Sequence, residues 1–107
     1  ERHATVPFSM HLMANSLIEI TGPVTACAET YFIAMSRREP PDGENTDIEV
    51  FGRYIDRFEK REDGVWRVAA RKVVYDSTRT APSTNHLRTL QGALGQRDGS
   101  DAVYELA

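Results

Sequence analysis

One histidine, His11, lies in a stretch whose other residues have the pattern of a half-buried strand, SMHLMANSLIEI. An imidazole titrates near neutral pH, so a histidine in an apolar cleft can take a proton from a substrate. Such a base needs a carboxylate that holds its other ring nitrogen. The alternative is a histidine that bonds a backbone carbonyl or faces solvent, which is the commoner case in strands.

Arg71 is the second candidate, because alternation places it on one strand face with Ala69, Val73 and Tyr75. A charge among apolar neighbours is costly unless it is paired or reaches a water-filled pocket. Arg71 could therefore stabilise negative charge that develops on a substrate. The alternative is a cross-strand ion pair with Asp56 or another carboxylate.

Asp56 has two interpretations of its own. It shares a predicted strand face with Tyr54 and Phe58, so it could be the carboxylate that orients a histidine. The neighbouring charges favour a surface ladder instead, formed with Arg53, Arg57 and Glu59. Trp66 is expected to pack in the protein or at an oligomer interface.

Metal and phosphate chemistry are not indicated by the sequence. No two of the three histidines have the local spacing of metal ligands, and Cys27 is the one cysteine. There is no glycine-rich phosphate loop and no Gly-x-Ser-x-Gly motif. His3 and His86 are expected to be exposed to solvent. We therefore expect no metal site.

The composition predicts a single domain over residues 1–107. Hydrophobic residues make up 40% of the chain and charged residues 27%, which are ordinary values for a globular protein. The net charge of -3, with interleaved signs, provides no footprint for nucleic acid or for a membrane. One cysteine cannot form an internal disulfide, which indicates a reducing, cytoplasmic compartment. Because the chain starts at Glu1 and enters strand-like sequence at once, we expect it to be N-terminally incomplete.

Four strand-like segments are predicted over residues 8–76, and they are 8–20, 24–35, 48–61 and 65–76. In the first, odd positions from His11 to Glu19 should share one face and even positions the other. The second, VTACAETYFIAM, could be a helix, but its aromatic and β-branched residues favour a strand. Asp63-Gly64 between the last two is a strong hairpin signal.

Loops and a tail complete the prediction. Residues 36–47 contain two prolines and a glycine and should form a polar surface loop. Residues 77–107 should form an irregular tail with a short helix over 83–94. Its last apolar residues should dock on the sheet or on a partner, and these are Val103, Tyr104 and Leu106.

Two segments, in this order, resemble the SnoaL-like branch of the nuclear transport factor 2-like superfamily. One is SMHLMANSLIEITGPVTACAETYF, with a histidine and an asparagine four residues later. The other is GRYIDRFEKREDGVWRVAARKVVYD, with a Gly-Arg-Tyr start and a Gly-x-Trp-Arg second arm. The resemblance implies an α+β fold, a cone-shaped curved antiparallel sheet of the cystatin-like type around a pocket, with few helices in this chain.

Members with this histidine, similar to scytalone dehydratase and hexachlorocyclohexane dehydrochlorinase, are cofactor-free lyases. In them the histidine pairs with an aspartate from an N-terminal helix, which would lie upstream of Glu1 here. The resemblance implies that His11 is the catalytic base and that Arg71 faces the pocket. The substrate-binding candidates are Asn15, Tyr54, Met13, Val73 and Tyr75.

We therefore expect a cofactor-independent lyase or isomerase that acts by dehydration or elimination on a small hydrophobic cyclic molecule. Two alternatives stay open: a non-catalytic small-molecule binding module, and a structural subunit related to the β subunit of ring-hydroxylating dioxygenases. In each case the apolar hairpin arms favour a homodimer or homotrimer.

Overall fold

A computed structural model describes residues 8–83 and 92–106. It contains four long strands, which are β1 Ser9–Gly22, β2 Thr25–Arg38, β3 Thr46–Lys60 and β4 Trp66–Pro82. They lie in the order β1-β2-β3-β4, each antiparallel to its neighbours. A short 3-10 helix, Ala102–Leu106, follows them. The predicted antiparallel sheet with little helix is therefore confirmed.

Two predictions from local sequence are confirmed, the second strand and the Asp63-Gly64 turn. The second segment is a strand, paired with β3 from Thr25 to Arg38, and not a helix. The β3–β4 hairpin turns at Asp63-Gly64, where Gly64 has a φ of 78° that a side chain would disfavour. The Asp63 carboxylate accepts the backbone N–H of Val65 at 3.0 Å and so holds the turn.

β4 is longer than predicted. Residues 77–82, expected to open the irregular tail, pair with residues 46–51 of β3. Because β3 begins within the predicted polar loop, its first backbone groups need hydrogen-bond partners, and the end of β4 supplies them. Polar residues are tolerated there since β4 is an edge strand.

The tail departs from its prediction. Most of the helix expected over 83–94 lies outside the described residues, and Gly92–Leu94 is not helical. Val103 and Tyr104 are exposed and do not dock on the sheet. The tail contacts β1 through Arg97 instead, whose Nη2 donates to the Ser9 hydroxyl at 2.9 Å.

A β-bulge interrupts the alternation of β1. Met13 is opposite Phe32 and Ser16 is opposite Thr30, so residues 14–15 face a single residue of β2. Because two residues of β1 oppose one residue of β2, the side chains after the bulge lie on the opposite faces from those that simple alternation would give them.

The predicted odd–even alternation of β1 is therefore wrong across this point. Odd positions before the bulge share a face with even positions after it. That shared face carries His11, Met13, Ser16, Ile18 and Ile20.

The buried residues identify this face as the inner face of the sheet. They are Ala26, Ala28 and Phe32 on β2, and Gly52 and Asp56 on β3. The register places all of them on one side, whereas Cys27, Tyr31 and Ile55 are exposed on the other, outer face. No other element among residues 8–83 and 92–106 packs on the sheet. Larger side chains of the same face cover them instead: Phe32 lies over Gly52, and Arg71 bonds Asp56.

Candidate functional site

The inner face carries every candidate site residue except Asn15. The register places His11 and Met13 there on β1, and it places Tyr54 there on β3. On β4 the inner-face candidates are Arg71, Val73 and Tyr75. Asn15 lies in the bulge, outside the regular alternation.

Three rings and one guanidinium group form a row across this face, here called the aromatic row. Its members are His11, Phe32, Tyr54 and Arg71. The ring centres of His11 and Phe32 are 6.4 Å apart, and Phe32 stacks on Tyr54 at 4.4 Å. The guanidinium carbon of Arg71 lies 4.0 Å from the centre of the Tyr54 ring, in a cation–π contact. Because two rings separate His11 from Arg71, these residues can reach opposite parts of one ligand but not the same atom.

Phe32 is the member of the row that sequence reasoning missed. It is 4% exposed and links β1 to β3. The signal was present in the alternation of Ala26, Ala28 and Phe32 along β2, which all turn out to face inward. Since β2 has apolar residues on both faces, its sequence did not say which face was the inner one.

Asp56 and Arg71 form a bidentate ion pair beside this row. Arg71 donates from Nε to Oδ1 at 2.7 Å and from Nη2 to Oδ2 at 2.8 Å. The Asp56 side chain is 3% exposed and that of Arg71 is 43% exposed. Hydrogen bonding to Asp56 raises the pKa of Arg71 above its ordinary value.

The predicted roles of Asp56 are corrected by this geometry. Asp56 is not part of a surface charge ladder, because it is buried on the inner face and bonds Arg71. It does not orient His11 either, since Phe32 and Tyr54 lie between His11 and the Arg71 side chain that Asp56 bonds. The cross-strand pair considered as the alternative for Arg71 is the arrangement observed.

His11 is exposed at the other end of the row. In the part of the chain that the structure describes, no carboxylate forms a hydrogen bond or ion pair with its imidazole. The aspartate that the family resemblance assigns to an N-terminal helix therefore has no counterpart among these residues.

A shallow apolar groove lies next to the ion pair and has a volume of about 320 Å³, within the range of small-ligand sites. Ala26 and Ala28 form its floor, and larger side chains rise on both sides because the alanines leave room between them. Its remaining lining residues are Ser16, Ile18, Ile20, Thr30, Phe58 and Trp66. Trp66 is thus a wall of this groove.

The groove adjoins the ion pair. Ile18, Ala28, Asp56 and Arg71 occupy one row across the four strands. A molecule that extends from the groove along this row would therefore reach the exposed side of the Arg71 guanidinium.

The outer face has a larger depression of about 560 Å³, but no candidate site residue lines it. Two charged residues line it, Arg53 and Asp76, and Arg53 donates to both oxygens of Asp76 at 2.8 and 3.0 Å and to Glu29 at 3.3 Å. The hydrogen bond from Arg53 holds the pKa of Asp76 below its ordinary value. This cation is occupied by two carboxylates, which is typical of a structural cross-strand pair.

Neither a metal-ligand cluster nor a membrane-spanning helix is found within the described ranges. No three His, Cys, Asp or Glu side chains cluster there as metal ligands would. None of the helices there is long and apolar enough to cross a membrane.

Comparison with known proteins identifies the kind of sheet. A family model described as the SnoaL-like domain matches residues 1–72. The crystal structure of a "putative scytalone dehydratase" from Novosphingobium aromaticivorans matches with a TM-score of 0.57 and 22% sequence identity. That match covers 69% of this chain and 47% of the other, so this chain spans about half the length of that relative. A search of curated protein sequences found no match. The likeness confirms the expected curved, cone-type α+β fold.

Proposed function

The chain belongs to the SnoaL-like domain family, and we propose that it acts as a cofactor-independent lyase or isomerase on a small hydrophobic cyclic molecule. The ligand would lie against the inner face, over the aromatic row, and would extend past Arg71 into the adjoining groove. The observation that supports this proposal is the aromatic row, which puts an exposed imidazole and a half-exposed guanidinium on one face beside an apolar groove.

The proposed chemistry assigns one role to each end of the row. His11 takes a proton from a carbon next to a carbonyl, and the electrons of the broken C–H bond form a carbon–carbon double bond. Arg71, at the other end of the row, donates to an oxygen on the far side of the ligand and so holds the ring against this face. A hydroxyl leaving group departs with its bonding electrons and takes the proton from His11, so that water is the second product.

A non-catalytic binding module is the second candidate. It is favoured by the exposure of His11 and by the lack of a carboxylate on its ring within the described residues. The groove and the ion pair would then select a ligand without changing it.

Turnover of a panel of cyclic β-hydroxy ketones, followed by mass spectrometry for loss of water, tests the proposal. We expect His11→Ala to reduce turnover at least a hundredfold, which is the usual contribution of a general base. Leu12→Ala is the matched control, because this neighbouring side chain lies on the outer face, opposite Ile33. Unchanged turnover in His11→Ala would contradict the mechanism. Binding of the panel to the wild-type protein without turnover would favour the binding module.

A further inference from the structure

We propose that Asp56 makes the inner-face pocket selective for uncharged ligands. In this arrangement a carbonyl or hydroxyl oxygen of the ligand meets Arg71, and its apolar ring lies in the groove. The inference rests on the proposed small-molecule pocket and adds to it a substrate class and a residue that determines specificity.

The first step concerns the charge of Arg71. An arginine that binds a ligand carboxylate usually offers it a net positive charge and a pair of N–H groups. Here the Nε and Nη2 of Arg71 already donate to Asp56, and the two formal charges cancel. The guanidinium keeps N–H groups on its exposed side, and they can donate to a neutral oxygen.

The second step concerns the burial of Asp56. A ligand carboxylate on Arg71 would place a second negative charge a few ångströms from a side chain that is 3% exposed. Water screens such a repulsion poorly, because the carboxylate is almost fully removed from it.

An arginine on the outer face, Arg53, binds two carboxylates at once and provides a comparison. Arg53 holds two carboxylates, Asp76 and Glu29, but their side chains are 42% and 37% exposed, so water screens the repulsion between them. Asp56 has no such access, and the two arginines therefore differ in the ligands that they accept.

The third step concerns the body of the ligand. The row of Ile18, Ala28, Asp56 and Arg71 leads from the groove to the ion pair. The apolar walls and alanine floor favour a flat or ring-shaped apolar group. A molecule with a ring at one end and a single neutral oxygen function at the other matches both features.

Two dyes with the same ring skeleton provide the test. N-phenyl-1-naphthylamine is neutral, and 8-anilino-1-naphthalenesulfonate carries one negative charge. Trp66 is the single tryptophan and a wall of the groove, so quenching of its fluorescence reports binding there. We expect the wild-type protein to bind the neutral dye at least tenfold more tightly than the anion.

Asp56→Asn should shift this preference at least tenfold toward the anion, because it leaves the charge of Arg71 uncompensated. Asp76→Asn is the matched control, since it removes a bidentate partner of Arg53 on the outer face and should leave the ratio unchanged. The double variant Asp56→Asn/Arg71→Gln, which carries neither charge, should return toward the wild-type preference.

Each outcome decides the inference. If Asp56→Asn does not fold, as judged by circular dichroism, Arg71→Gln serves instead: it removes the cation of the pair and should reduce anion binding more than neutral binding. An unchanged ratio in the folded variant overturns the inference and leaves the proposed pocket standing. Failure of both dyes to quench Trp66 in the wild-type protein overturns the inference and the proposed pocket together.

Discussion

At the scale of single residues, Gly52 decides whether the aromatic row can form. Phe32 lies across the backbone of β3 at this position, where it reaches Tyr54. A Cβ atom on residue 52 would lie 2.8 and 2.9 Å from two carbons of the Phe32 ring, and it would also collide with the backbone oxygen of Val74. Glycine is required here for this close approach.

Gly52→Ala should therefore lower the free energy of unfolding by about 1–3 kcal/mol, the usual cost of overpacking. Urea unfolding measures this loss. Gly99→Ala is the control, because no atom lies within 4 Å of its added Cβ and we expect little change. Equal stability of the two variants would show that Phe32 does not lie across Gly52.

At the scale of elements, the β1 bulge determines the face on which His11 lies. Uninterrupted alternation from Ser16 would send His11 to the outer face, away from Phe32. The extra residue in positions 14–15 returns it to the inner face.

The bulge predicts a nuclear Overhauser contact between the ring protons of His11 and Phe32. The same contact should survive deletion of Asn15, because removing one residue of the bulge leaves a regular strand with His11 still on the inner face. Contacts from Leu12 to Phe32 in place of those from His11 would mean that β1 has no bulge.

At the scale of the whole molecule, the described residues form one layer. The radius of gyration is 18.3 Å, whereas a compact domain of this length has about 13 Å. A single sheet leaves apolar side chains on both faces without a covering layer. Exposed apolar residues of the outer face are Met10, Leu12, Leu17, Tyr31 and Ile55.

We expect the outer face to associate in a homodimer or homotrimer, because the inner face is the proposed ligand surface. Leu17→Glu should shift the mass in sedimentation equilibrium toward the 12.0 kDa of one chain. Ile18→Glu is the matched control, since these neighbouring residues are 73% and 65% exposed on opposite faces. Dissociation by Ile18→Glu alone would place the interface on the inner face.

The sequence by itself determined the presence and order of the four strands, the Asp63-Gly64 turn and the shared face of Arg71, Val73 and Tyr75 on β4. These features depend on local alternation and turn chemistry, which neighbouring residues encode.

The tertiary structure alone decided that His11 joins that face, that Phe32 and Tyr54 connect it to Arg71, and that Asp56 is buried in an ion pair. Each of these depends on the register with a neighbouring strand. A shift of one residue in that register moves a side chain to the opposite face, and a single strand read alone contains no signal for it.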